Sequence, residues 1–283
     1  MMSMAYDDLS TVSRRYAGGV LQLSLNRPES RNAMSITMVN ELLLSLQQAE
    51  QDPAVRIVVL RGANGHFCSG GDIKDMAAAR LLPKGEGVDA IAEVNARFGE
   101  LCLAYARTPL AVVAALEGTV MGGGFGLACV ADVALASSST SFRLPETSLG
   151  LVPAQIAPFL VERLGYSEAK RLAVTGGQIS AQEALNLRLI HELAEDAKAL
   201  EAALQATISK IMLCAPQAIA ASKDLIARAR LQSPQDLIAD AAAVFSRAAQ
   251  SAEGIEGGAA FLQKRKPSWS NPLPEVSSRS THV

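Results

Sequence analysis

The chain has 283 residues, 49% of them from the apolar set AVILMFWYC and 19% charged, a balance that supports a large buried core and excludes whole-chain disorder, a collagen-like repeat and a small disulfide scaffold. Lys and Arg total 26 against 28 Asp and Glu, a net charge of −2, which leaves no basic footprint for nucleic acid. The cysteines Cys68, Cys102, Cys129 and Cys214 show neither CxxC nor zinc-ligand spacing, no apolar run reaches the roughly 20 residues of a membrane span, and Met1–Tyr16 has no signal-like core; the expectation is a reduced, cytoplasmic chain without a metal.

Leu21, Leu23 and Leu25 alternate with Gln22 and Ser24, the period of a half-buried strand, and Asn26-Arg27-Pro28 ends it. Ser35 can cap a helix to about Gln51, with Val39, Leu42, Leu43 and Leu46 at helical spacing. Ile57-Val58-Val59-Leu60 reads as a buried strand, followed by the loop Ser69-Gly70-Gly71-Asp72 and helical sequence from Ile73. Past a variable stretch at Pro83–Val88, a long helix is expected over Ile91–Arg107, then a core strand at Leu110–Leu116. The turn Gly122-Gly123-Gly124 follows that strand and opens a short helix, and Asp132–Ala136 is a further strand. From Ala154 helices dominate: Ser180 and Glu183 form a capping-box pattern, Ser233-Pro234 starts a helix, and Ala-rich helices fill Leu200–Gln250 before a last one over Ile255–Lys264. The Ser- and Pro-rich tail from Pro267 reads as mostly disordered. The order implies an α/β core with a helical C-terminal region, divided into residues 8–200, 201–268 and a disordered 269–283.

Two glycine-rich turns, each between a strand and a helix, are the informative feature. Glycine lets backbone approach a ligand closely, and a helix start adds free N–H donors and positive potential. A single such turn is usually just a tight turn; two can aim one N–H each at the same oxygen, the device that stabilises a carbonyl becoming an enolate. Phosphate cradling fits worse, since neither G-x-G-x-x-G nor G-x-x-x-x-G-K-[ST] occurs, and a serine hydrolase lacks its G-x-S-x-G. Glu146, in the otherwise apolar Phe142–Gly150 stretch, is either a surface residue beside a turn or a general acid/base whose pKa its surroundings raise. His66, His191 and His282 are read as structural or incidental.

Four segments resemble the crotonase (enoyl-CoA hydratase/isomerase) superfamily: Asn26-Arg27-Pro28 through Arg31-Asn32-Ala33-Met34; Phe67-Cys68-Ser69-Gly70-Gly71-Asp72-Ile73-Lys74; Gly122-Gly123-Gly124 through Asp132 to Pro145-Glu146; and Phe261 through Pro267. The resemblance runs in the expected order over about residues 8–268. It implies a crotonase-like ββα spiral core with C-terminal helices that assemble a homotrimer, or a hexamer of two trimers, and an acyl-CoA substrate. Gly71 and Gly123 would supply the two donors to the thioester oxygen, with Glu146 as a catalytic glutamate. Ala33 falls in the first segment at the substrate side, Lys74 would approach the CoA adenine or phosphates, and Phe261 and Lys264 would contact CoA held mainly by a neighbouring subunit. No cofactor is implied, CoA being part of the substrate.

The chain departs from the family in two places. Gly126 stands where the typical hydratase has a first glutamate, leaving Glu146 to manage the proton, with Gln155 a candidate for holding water or substrate. The segment Gly150–Phe159 also lacks the usual glycine-rich form. Both features resemble the branch acting on 3-methylglutaconyl-CoA or isohexenylglutaconyl-CoA, in leucine and acyclic-terpene degradation, whose distal carboxylate Arg80 or Arg143 could pair. A Δ3–Δ2 enoyl-CoA isomerase and a non-catalytic acyl-CoA-binding or RNA-binding scaffold are the alternatives.

Overall fold

A computed structural model describes residues 6–81 and 89–270 of the chain. In chain order its strands are β1 (Val12–Ala17), β2 (Val20–Leu25), β3 (Ile57–Gly62), β4 (Ala111–Leu116), β5 (Thr119–Met121), β6 (Val133–Ser137), β7 (Ser141–Arg143), β8 (Gln178–Ser180) and β9 (Glu192–Ala194). Its helices are α1 (Ile36–Gln51), α2 (Ile73–Leu81), α3 (Ala90–Arg107), α4 (Gly123–Val130), α5 (Ala157–Thr175), α6 (Ala181–Asn186), α7 (Ala197–Met212), α8 (Pro216–Ala229), α9 (Pro234–Gln250) and α10 (Ala252–Leu262).

The large sheet has the order β1-β2-β3-β4-β6-β9, antiparallel only between β1 and β2. Its central strands are buried on both faces. Val58, Leu60, Val112 and Ala114 join one core with Leu42 and Leu46 of α1 and Tyr105 of α3; Ile57, Val59 and Val113 join a second with Leu200 and Leu204 of α7. That is why β3 and β4 read as unbroken apolar runs rather than alternations, and each such Val, Ile or Leu side chain withdrawn from water contributes roughly 1.5–3 kcal/mol. The edge strand β1 gave no clear signal in the sequence, because its Ser13, Arg14 and Arg15 are polar, as suits an edge.

Short strands form a second layer, β5-β7-β8, continued by parallel bridges from Cys68 to Val120 and from Met34 to Gly71. The chain therefore repeats one unit: a strand of the large sheet, a short strand of the second layer, then a helix. β2, Met34 and α1 form one turn; β3, Cys68–Gly71 and α2–α3 the next; β4, β5 and α4 the third; β6, β7 and α5 the fourth. This is the expected ββα spiral with a helical C-terminal region.

Helix starts follow the sequence. Ser35 Oγ accepts from Met38 N–H at 3.2 Å, Ser180 and Glu183 form a reciprocal capping box, and Ser233 caps α9 with Pro234 at its first turn. Three expectations need correction. The second glycine turn follows the short strand β5, not β4 directly. A boundary at 200/201 falls inside α7, which packs on the sheet through Leu200, Ala203 and Leu204. Ser268–Ser270, at the start of the stretch read as disordered, form a 3-10 turn, tied down where the Trp269 indole donates to Leu213 O at 3.0 Å and its carbonyl accepts from Arg56. The Pro83–Val88 stretch and the tail over 271–283, with His282, lie outside the described residues. Among the described residues no helix is long and apolar enough to cross a membrane, and no group of three His, Cys, Asp or Glu could hold a metal.

Candidate active site

The two glycine turns sit side by side because of one parallel pairing. Cys68 N–H donates to Thr119 O and Met121 N–H to Cys68 O, both at 2.9 Å, which sets Cys68 opposite Val120. Three residues further along each chain come Gly71 and Gly123, so equal offsets bring the two turns into register. A side chain on Gly122 would begin 3.5 Å from Gly70 Cα, showing how closely the turns approach.

Each turn frees one amide. Around Gly71, Met34 N–H donates to Gly70 O at 2.8 Å and Asp72 N–H to Met34 O at 3.0 Å. In a parallel bridge the flanking residues face the partner, so the N–H of Gly71 itself points the other way. The space where a Gly71 side chain would stand is open. In the second turn, Gly122 donates to Arg143 O at 3.1 Å and, with φ +47°, turns the chain into α4. Gly123 is the first residue of that helix, where N–H groups have no intrahelical acceptor.

Glu146 begins a 3-10 turn closed by Gly150. Its Oε1 lies 3.0 Å from where a Gly122 side chain would begin, which aims the carboxylate at the junction of the two turns. Its Oε2 is buried and has no hydrogen-bond partner among the described residues. Burial pushes its pKa above the ordinary carboxylate range, opposed only by its own backbone N–H. A buried carboxyl with an unoccupied oxygen is equipped to take and return a proton.

The position after the second turn carries no acid. A side chain on Gly126 would overlap Ile156 Cγ2 and begin 3.4 Å from Phe98 Cζ, so an apolar wall fills that volume. Phe98 also lies against Gly123, 3.2 Å from its would-be side chain. Gln155 is packed against Gly99, and its amide donates to Asn95 Oδ1 at 2.9 Å. The structure thus gives the Gln155 donor a protein partner on α3, which the sequence did not anticipate.

The first glycine loop is held by residues quoted from the sequence without a role. Arg27 Nη1 reaches Asp72 Oδ2 and Ala33 O, each at 2.7 Å. Burial alone would raise the Asp72 pKa, but Arg27 and the Lys74 N–H hold it below the usual range. The fully buried Asn32 accepts from Arg27 N–H and donates to Ala63 O and His66 O. Cys68, fully buried beneath the loop, has its thiol pushed up to about 11 by burial and is no nucleophile. His66 and His191 each accept a backbone N–H at Nδ1, the structural roles expected of them.

Lys74 is exposed in the first turn of α2 and Arg80 near its end, while Arg143 sits on β7. Phe261 and Lys264 are exposed at the end of α10 and just beyond it, and α10 packs against α9. Phe98 and Ile156 were missed as site residues; nothing in their local sequence separates them from ordinary core residues.

A family model described as enoyl-CoA hydratase/isomerase matches residues 15–272. The 2,3-dehydroadipyl-CoA hydratase of Escherichia coli (strain K12) is 31% identical over 249 residues, spanning 88% of this chain and 94% of that protein. Among solved structures, AtuE of Pseudomonas aeruginosa is 49% identical with a TM-score of 0.89, and an enoyl-CoA hydratase/isomerase of Marinobacter aquaeolei is 45% identical with a TM-score of 0.90. Each structural match covers 93% of this chain and 100% of the other.

Proposed function

Because the chain belongs to the enoyl-CoA hydratase/isomerase family, we propose that it adds water reversibly across the C2–C3 double bond of a branched 2-enoyl-CoA. The observation that carries this reading is the unpartnered, buried oxygen of Glu146 beside two glycine turns in mutual contact. The amides of Gly71 and Gly123 donate to the thioester oxygen and stabilise the enolate that forms as water attacks C3. Glu146 takes one proton from that water, leaving the hydroxyl on C3. The same carboxyl then delivers a proton to C2 as the enolate collapses, so both groups add from one face. The thioester itself is the electron sink, and the step calls for no metal or redox cofactor.

The apolar wall of Ile156 and Phe98, where a second acid would stand, supports a substrate of the 3-methylglutaconyl- or isohexenylglutaconyl-CoA type. Arg80 and Arg143 are the candidates for its distal carboxylate, Ala33 lines the substrate side, and Lys74 reaches for the CoA phosphates. In this reading the chain works as a homotrimer or hexamer, in which Phe261 and Lys264 contact CoA held by a neighbour.

A second reading is Δ3–Δ2 enoyl-CoA isomerisation, since one carboxyl can carry a proton from C4 to C2 and Gly126 supplies no partner to hold water. Incubation in 18-O water with crotonyl-, 3-methylglutaconyl- and isohexenylglutaconyl-CoA separates the two. Label in a 3-hydroxyacyl product, fastest with a branched substrate, is the expected outcome. Migration of the double bond in a Δ3-enoyl-CoA without label would transfer the assignment to isomerase.

A further inference from the structure

α5 is broken at Gly165, whose φ of 76° and ψ of 162° are not helical, so residues 157–164 form a separate short run beside α4. Ile156, at its start, fills the space over Gly126. Seven residues later, two helical turns on along one face, Arg163 donates from Nη2 to Ala128 O at 3.2 Å and to Ala131 O. These carbonyls close the C-terminal end of α4, where acceptors lack intrahelical donors and the helix dipole is negative. Arg163 Nε is buried without a partner among the described residues, and Nη1 meets His191 Nε2 at 3.3 Å. Because His191 Nδ1 accepts from Ala134 N–H at 3.0 Å, the neutral ring carries its proton on Nε2, donor facing donor. Burial first, and then Arg163, hold His191 below its ordinary pKa, keeping it neutral.

The body of α4 offers little else polar to hold it. Residues 124–128, Gly-Phe-Gly-Leu-Ala, are buried and apolar or small, so their side chains pack without hydrogen bonds. Among the described residues, Gly122 N–H ties the start of the helix to Arg143 O, the Gly124 backbone meets the buried Cys68 thiol, and Arg163 holds the end. With eight residues, the helix is only about 12 Å long, so displacement at one end reaches the other. We infer that Arg163 is a positioning residue for the thioester site, fixing the axial placement of α4 and hence the N–H of Gly123. This rests on the reading of Gly123 as a donor, and its geometry matters because a donor must lie about 2.7–3.1 Å from the developing oxyanion.

The test uses the full chain, its preferred acyl-CoA from the labelled-water assay, and infrared difference spectra of that thioester carrying carbonyl 13-C. In wild type the bound carbonyl band should lie below its solution frequency. Arg163→Met should lower kcat roughly 10- to 100-fold, short of the roughly 100- to 1000-fold for losing a whole donor. KM should change less than about threefold, and the band should return toward its solution position. Arg163→Lys, which keeps the charge and can reach one carbonyl, should restore part of both. A wild-type band in a folded variant overturns the inference, whether kcat is normal or reduced, because the placement of the carbonyl's donors then does not depend on the arginine. If Arg163→Met fails to fold, Arg163→Lys decides on the same readouts: partial displacement of both supports the inference, and a wild-type band overturns it. An undisplaced band in wild type itself would remove the donor reading along with this inference, a result distinct from equal, displaced bands in all three proteins.

Discussion

At the scale of the residue, Glu146 carries the sharpest expectations. Glu146→Gln preserves shape but cannot take a proton, so turnover should fall by at least ~100-fold while acyl-CoA affinity stays near wild type; steady-state kinetics and a binding titration check this. The same variant has a stability signature. Burial raises the Glu146 pKa in the folded chain, so the native state binds its proton more tightly than the unfolded one. That contribution is fully present below the ordinary carboxylate range and is lost as pH rises through the raised value. Glu146→Gln should therefore melt higher than wild type at neutral pH, and the gap should close on acidification; equal melting temperatures throughout would contradict the burial. Gly126 makes a second test. Its side-chain volume is occupied by Ile156, so Gly126→Glu alone should lower the melting temperature rather than install a second acid. Combining it with Ile156→Ala, which alone costs roughly 2–5 kcal/mol, should recover stability and admit linear crotonyl-CoA. A single Gly126→Glu variant that melts like wild type would show that the wall yields easily.

At the scale of the element, the site is a matter of register. Neither glycine turn defines a site by itself; the Cys68–Val120 bridge sets the two turns side by side. The C-terminal segment shows similar local control. Glu256 accepts from Arg265 at 2.6 Å and from Ser268 N–H at 2.8 Å, and these hydrogen bonds bring its pKa down to about 2. The 3-10 turn that follows carries Trp269, the chain's single tryptophan. The contribution of a depressed carboxyl is present above its unfolded pKa and lost as pH falls through about 2. Tryptophan emission should therefore shift to the red over that acid interval, and Glu256→Gln should show the same shift at neutral pH. Unchanged emission in that variant would mean that Arg56 and Leu213 hold the turn without it.

At the scale of the whole molecule, the C-terminal helices leave large apolar side chains exposed, among them Ile226, Ile238, Phe245, Phe261 and Leu262. Faces of this kind mark association surfaces. Sedimentation equilibrium should return three or six times 29.7 kDa, and a monomer at micromolar concentration would remove the proposed neighbour's contribution to CoA binding. Much of the fold was legible beforehand because its signals are local. The alternation in β2, the apolar runs of β3 and β4, and the caps at Ser35, Ser180 and Ser233 follow from solvent exclusion and unsatisfied helix donors acting within a few residues. Gly71, Gly123 and Glu146 were recognisable because chemistry restricts which residue types can stand in such turns. By itself, then, the amino-acid order marked most of the main strands and helices, the two glycine-rich turns, and Glu146 as an acid in an otherwise apolar stretch. Tertiary structure decided that Ile156 fills the space over Gly126, that Gln155 is engaged by Asn95, and that Arg163 closes α4. Those contacts join residues about 30 to 60 positions apart, and no local pattern distinguishes an isoleucine or arginine bound for the site from one bound for ordinary core or surface; only chain packing brings them together.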